Sequence, residues 1–142
     1  MNTIQIKPMI ETDFDEVMVL WNNSQGLHMS GEYTETTEGF AKFLERNPGN
    51  SFVARDQNKL VGAVFGSHDG RRGYITHMAV AQEYRRHGVG RSLVKHVVDS
   101  LKSAGISRIG IFVLKSNPQA EVFWISAGFE KLEVANTFFH TF

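Results

Sequence analysis

The sequence contains no cysteine. That excludes disulfides, thiolate metal centres and a catalytic thiol. It also lacks a surplus of either charge, with 15 Lys and Arg balancing 15 Asp and Glu over 142 residues. A chain whose main partner is nucleic acid or an anionic membrane surface carries a basic surplus, so neither partner is expected. No apolar run approaches the ~18 residues of a membrane-spanning helix. The stretch 1–9 has no apolar segment of the signal-peptide kind, and a cytoplasmic location is expected. No repeat, linker or low-complexity stretch divides the chain, so 1–142 reads as one domain.

What is present is a succession of strand and helix periodicities. Ile4, Ile6 and Pro8 sit at strand spacing. Thr12 and Asp15 form an [ST]-x-x-[DE] helix start, with Phe14, Val17, Met18 and Trp21 following at helical spacing. Asn22 to Gly31 is a polar loop. A second helix carries Phe40, Phe43 and Leu44 and stops before Asn47-Pro48-Gly49. Strands near Ser51–Arg55 and Leu60–Ser67 flank a hairpin-length turn, and a turn over Asp69–Gly73 leads into a strand from Tyr74 to Val80. Val89, Leu93, Val94, Val97, Val98 and Leu101 mark one face of a long helix ending at Ala104-Gly105. A strand over Ile109–Val113 follows, then a helix with Asn117 as N-cap, Pro118 at its first position and Gly128 past its end. Phe129–Val134 and Thr137–Phe142 read as two last strands. The order is β-α-α-β-β-β-α-β-α-β-β.

The strongest chemical signal is Arg85-Arg86-His87-Gly88-Val89-Gly90, between a strand and the long helix. Backbone N–H groups at a helix start have no intrahelical partner, and the helix dipole adds positive charge there. Gly88 and Gly90 let the backbone approach an anion, and Arg85, Arg86 and Arg91 add full charges. Such a loop can cradle a pyrophosphate. It matches neither the P-loop nor the dinucleotide fingerprint, and taken alone it is better read as an ordinary basic strand-to-helix turn.

The spacing [Gln/Arg]-x-x-Gly-x-[Gly/Ala] resembles the coenzyme A pyrophosphate motif of the GNAT (Gcn5-related N-acetyltransferase) family, matched by Arg85, Gly88 and Gly90. Met78-Ala79-Val80 stands where that family has its Leu-Ala-Val strand end. Asn117, Ala120, Phe123 and the pair Gly128-Phe129 resemble the family's Asn-x-x-Ala-x-x-Phe-Tyr-x-x-x-Gly-Phe. The resemblance is specific from about Leu60 to Phe129. It implies an α/β (α+β) fold with a mixed, mostly antiparallel sheet of six to seven strands, about four helices, and a splay between two parallel central strands. It implies acetyl-CoA as acyl donor, held by Met78, Ala79, Val80, by the loop from Arg85 through Arg86, His87, Gly88, Val89 and Gly90 to Arg91, and by Asn117, Phe123 and Trp124. No metal is implied. The reaction implied is direct attack by a primary amine in a ternary complex, with a backbone N–H near Val80 stabilising charge on the thioester oxygen.

An ammonium cannot attack, so its proton needs an acceptor. The family often places Glu or His on the Met78 strand, an even number of residues before it. Side chains alternate along a strand, so those positions are Thr76 and Tyr74. His77 is one residue off and is expected to face the other way as a hydrogen-bonded core histidine, unless a bulge re-aims it. Glu32, Tyr33 and His28 lie in the helix–helix loop that borders the acceptor site in this fold, and Glu32 joins the catalytic candidates. Trp124 stands where the family usually has a tyrosine. Its indole N–H is not a titrating acid, so it is expected to wall the cofactor site, with Phe123 more in the core. A non-catalytic coenzyme A-binding sensor of the same fold is the alternative function. The acceptor is a small-molecule or peptide amine of unspecified identity. The tail aromatics Phe138, Phe139 and Phe142 would serve a homodimer edge or finish the sheet.

Overall fold

A computed structural model describes residues 3–24 and 35–142. Among the described residues five strands, β1 (Ile4–Pro8), β2 (Phe52–Asp56), β3 (Lys59–His68), β4 (Gly73–Val80) and β5 (Ile109–Ile111), form one sheet in chain order. The first four pair antiparallel, and β4 pairs with β5 in parallel. The α-helices among the described residues are α1 (Phe14–Asn22), α2 (Thr37–Arg46), α3 (Val89–Ser103) and α4 (Pro118–Ser126).

The helices start where side chains satisfy orphan N–H groups. Asn117 Oδ1 accepts from Ala120 N at 3.2 Å, with Pro118 opening α4. Thr36 Oγ1 accepts from Gly39 N at 3.0 Å at the head of α2. The start of α1 differs from expectation. A 3-10 turn over Glu11–Asp13 precedes it, and Asp13 Oδ2 accepts from Ile10 N at 2.9 Å, in place of a Thr12–Asp15 box. Asp13 is selected because Arg55 of β2 reaches it at 2.7 Å and Glu16 at 2.9 Å. The Arg55 hydrogen bond holds the Glu16 carboxyl below its ordinary range. This pairing ties α1 to the sheet.

Alternation on the strands divides the core between two faces. Phe52, Ala54, Val61, Val64, Ile75 and Val80 pack with Val89, Leu93, Val97 and Leu101 of α3 and Trp124 of α4. Val53, Leu60, Ala63 and Ala79 pack on the other face with Val17 and Trp21 of α1 and Phe40 of α2.

Gly66 lets α3 lie close to β3. A Cβ there would strike the Asn50 carbonyl and stand 2.7 Å from Val97 Cγ1. Backbone cannot give way as a side chain end can, so Gly66→Ala is expected to destabilise by about 3 kcal/mol. Thermal unfolding checks this as a Tm lower by about 10 °C.

The two strands expected over Phe129–Val134 and Thr137–Phe142 do not form, so the sheet has five strands among the described residues and not six to seven. Apolar alternation is a local signal, whereas a strand needs a ladder partner. Phe129 N donates to Trp124 O at 3.0 Å and its ring meets Trp124 edge-on at 5.1 Å, which fastens the start of the tail to α4. Beyond it Leu132, Val134, Phe138, Phe139 and Phe142 are exposed. Strand β5 also stops at Ile111, short of the expected Val113.

Candidate active site

The centre of β4 is irregular. In the β3–β4 ladder Phe65 faces Thr76 and Ala63 faces Ala79, so His77 and Met78 together oppose Val64. His77 carries the strain, with φ +53, a conformation that costs an L-residue roughly 1–3 kcal/mol. This bulge resets the alternation. Thr76 and His77 both line a cavity on the α1–α2 face, while Met78 and Val80 pack on the α3 face. The expectation from even spacing, that Thr76 shares a face with Met78, is therefore corrected, while His77 lies on the face opposite Met78. Tyr74, further back, stacks parallel to Phe112 at 6.4 Å over β5.

His77 Nε2 lies 3.1 Å from Glu35 Oε1, and the two side chains are 21% and 9% exposed. The imidazole is flanked by Trp21 at 4.9 Å and Phe65 at 5.5 Å between centroids. A carboxylate can only accept, so it orients the ring and stabilises positive charge on it. Glu35 was not legible as a site residue. It precedes the Thr36 cap of α2, and its partner is 42 residues away. Glu32, with His28 and Tyr33, lies outside the described residues.

The other half of the site is the gap left by β5. Pairing between β4 and β5 covers only Gly73↔Ile109, Tyr74↔Gly110 and Ile75↔Ile111. Strand β4 continues to Val80, so the expected splay is present, although β5 is the edge strand of the described sheet and not a central one. Ala81 N donates to Val61 O at 2.8 Å. Alternation along an antiparallel ladder then turns the N–H and C=O of Val80 away from β3, towards the gap. Arg85 Nε donates to that carbonyl at 3.0 Å, so Arg85 braces the end of β4 from the loop. Tyr84, just before it, donates its hydroxyl to Asp56 Oδ2 at 2.6 Å.

The loop then enters α3 through two left-handed residues, Arg86 at φ +64 and Gly88 at φ +83. Gly88 is the N-cap and supplies no side-chain bond. The first intrahelical bond runs from Ser92 N to Gly88 O at 3.0 Å, which leaves the N–H groups of Val89, Gly90 and Arg91 without helix partners. A Cβ on Gly88 would meet nothing within 4 Å, so the space above the loop is open. Arg86 and His87 are exposed, and Arg91 donates to Ser126 Oγ of α4 at 3.0 Å. A Cβ on Gly90 would stand 3.4 Å from the Phe123 ring and 3.5 Å from Met78 Cε, so β4, the loop and α4 meet here. The two aromatics exchange their expected places. Trp124 is 6% exposed, wedged edge-on between Phe123 and Phe129, while half-buried Phe123 faces Met78 and the loop. Among the described residues no three His, Asp or Glu are grouped to hold a metal, and no helix is long and apolar enough to cross a membrane.

A mixed sheet with parallel strands splayed over a glycine–arginine helix start defines an acyltransferase-type fold. The acetyltransferase (GNAT) family model matches residues 15–129, and the chain belongs to that family. An acetyltransferase of Yersinia pestis is 26% identical over 114 residues, covering 80% of this chain and 79% of its own length. One of Sodalis glossinidius is 25% identical over 130 residues, covering 92% and 86%. Among solved structures, Ard1 from Thermoplasma volcanium superposes with a TM-score of 0.80 at 20% identity, covering 92% of this chain and 84% of its own. AAC(6')-Iy in complex with the bisubstrate analog CoA-S-monomethyl-acetylneamine gives 0.78 at 16% identity, covering 99% of each.

Proposed function

We propose that this chain moves the acetyl group of acetyl-CoA to a primary amine by direct attack with both molecules bound. The observation that carries the reading is the junction at the end of β4. There the strand outruns β5, turns the Val80 N–H into the gap, and meets an uncapped helix start lined by glycine and arginine.

The residues present fit coenzyme A. Three unpartnered N–H groups, open space over Gly88 and the cations of Arg86 and Arg91 suit a pyrophosphate. When bound, acetyl-CoA supplies a thioester whose thiol, of pKa ~8.5, leaves without a strong acid. Met78 and Phe123 wall the pantetheine path, and the Val80 N–H polarises a carbonyl oxygen. Arg85 holds the strand end in place. On the opposite face His77 takes the proton of the acceptor amine, directly or through water, and Glu35 fixes the ring and stabilises its charged form. Thr76 stands beside it as a pocket residue. The two faces communicate past the edge of β4, which β5 no longer covers.

Calorimetry with acetyl-CoA and thiol release with a panel of amines test the reading. Binding and release above background with at least one amine are expected. Failure to bind acetyl-CoA overturns it, and binding without release leaves the coenzyme A sensor. Trp124, packed among rings, is no proton donor. Trp124→Phe is expected to change kcat less than ~10-fold, below the usual worth of a general acid. A kcat–pH profile of the variant checks this.

A further inference from the structure

The choice of acceptor rests on the acetyl-transfer reading, in which His77 takes the proton of the amine. An amine reaching His77 from the α1–α2 face passes through a cavity of about 480 Å³, within the range that suits a small molecule. Its walls are aromatic. Phe65 stacks on Phe43 at 4.0 Å and meets Trp21 at 4.8 Å and Phe40 at 5.8 Å. Met18 adds a flexible apolar side chain. Among the described residues the uncharged polar wall members are Thr76 and Asn47, and the Asn47 amide is already bonded to Phe43 O and His68 N, so the several hydroxyls of a sugar or the extra ammonium groups of a polyamine would find few partners, which is costly. They suit an aliphatic or aromatic body.

The charges at the two ends of the cavity are opposite. Inside, next to His77, is the carboxyl of Glu35, which favours an ammonium. At the rim are Lys42 and Arg46, both exposed and one turn apart on α2. Neither takes part in any ion pair among the described residues. Glu38 and Glu45 share the helix with them and pair with neither. Arg46 lies in the last turn of α2, where the helix dipole alone favours a cation. That does not account for Lys42, in the middle of the helix.

From the inside outward the cavity therefore offers an acidic group, an apolar stretch and two cations. Its complement is an ammonium, an apolar body and an anion. We infer that the acceptor is an amine with an aliphatic or aromatic body and an anionic group at its far end, as in an apolar amino acid or a short peptide. The anion, a carboxylate or a phosphate-type group, is held by Lys42 and Arg46.

The test is thiol release from acetyl-CoA with matched acceptors. Phenylalanine, glycyl-phenylalanine and the phosphonate analogue of phenylalanine carry the anion. Phenethylamine and phenylalaninamide lack it, and spermidine is a polycation. The anionic members are expected to show kcat/KM about tenfold or more above their uncharged counterparts, and the carboxylate and phosphonate arms show which anion is favoured. Replacing both cations, as Lys42→Glu with Arg46→Glu or as the milder Lys42→Gln with Arg46→Gln, should erase that preference through KM. Circular dichroism verifies that the variants fold. Equal rates for charged and uncharged acceptors, a preference for spermidine, or a preference that survives both pairs of substitutions would overturn the inference. If no member turns over, calorimetry with the same compounds decides, and absence of charge-dependent binding overturns it too. Loss of acetyl-CoA binding by the unaltered chain counts against the acetyl-transfer reading. Intact acetyl-CoA binding and turnover without charge preference counts against this inference alone.

Discussion

Calorimetric titration of Gly88→Val with acetyl-CoA is expected to show an affinity at least about 100-fold below that of the unaltered chain. Two effects add. Gly88 holds φ +83, where a residue with a Cβ costs roughly 1–2 kcal/mol and a β-branched one more. Relief of that strain swings the peptide N–H groups at the start of α3 away from the bound anion, and each charge-assisted bond lost is worth roughly 1.5–3 kcal/mol. A sum near 3 kcal/mol corresponds to about two powers of ten. The protein itself tolerates the extra atoms, since a Cβ there meets nothing within 4 Å. The strain at φ +83 remains, so a fall in Tm of a few degrees is expected alongside the loss of binding, and affinity must be taken on folded protein. Gly88→Asn is the discriminating control, because Asn enters the left-handed region readily, and it should retain more affinity than Val. An unchanged affinity in folded Gly88→Val would falsify the placement of the pyrophosphate.

The second large effect is expected at His77. His77→Ala should lower kcat by about 10²–10⁴, the usual worth of a positioned proton acceptor. The kcat/KM profile should lose its rising limb with pH. Glu35→Gln should cost less, on the order of 10-fold, because the imidazole remains while its orientation and charge stabilisation weaken. Glu35→Asp should recover part of that loss. His77 also packs against Trp21 and Phe65, so a fall in Tm is expected and kcat must be taken on folded protein. A kcat within about 3-fold of the unaltered chain, with the fall in Tm alone, would make His77 a member of the aromatic cluster and nothing more; a general base is worth far more than that.

How much of the site was legible in the sequence depends on the distance over which each signal acts. The cap at Asn117, the helix-ending glycines Gly105 and Gly128, and the arginine–glycine entry to α3 are local signals, and the structure adds that Gly88 is left-handed. The β4–β5 splay was also expected, from resemblance and not from any periodicity. The bulge at His77 is different. It depends on how β4 fits against β3, where two residues oppose Val64, and nothing in Tyr74–Val80 announces it. Nothing in the sequence singles out Lys42 and Arg46. Only the packing of α2 over Trp21 and Phe65 makes them the rim of a cavity.

The sequence by itself determined the class of protein. Short-range rules on capping, glycine conformation and apolar period, with two motifs at the right separation, need no knowledge of which elements touch. The tertiary structure alone decided which residues line the cavity on the α1–α2 face. The Glu35–His77 pair joins positions 42 residues apart, and the reset of alternation in β4 comes from a neighbouring strand. It also decided the fate of the tail. Phe138, Phe139 and Phe142 have strand-like character, yet they stay exposed because Phe129 fastens the segment's start to Trp124 and no ladder takes up the rest. Propensity proposes a strand or a helix residue by residue, but faces, pairs and edges exist only once the chain has met itself.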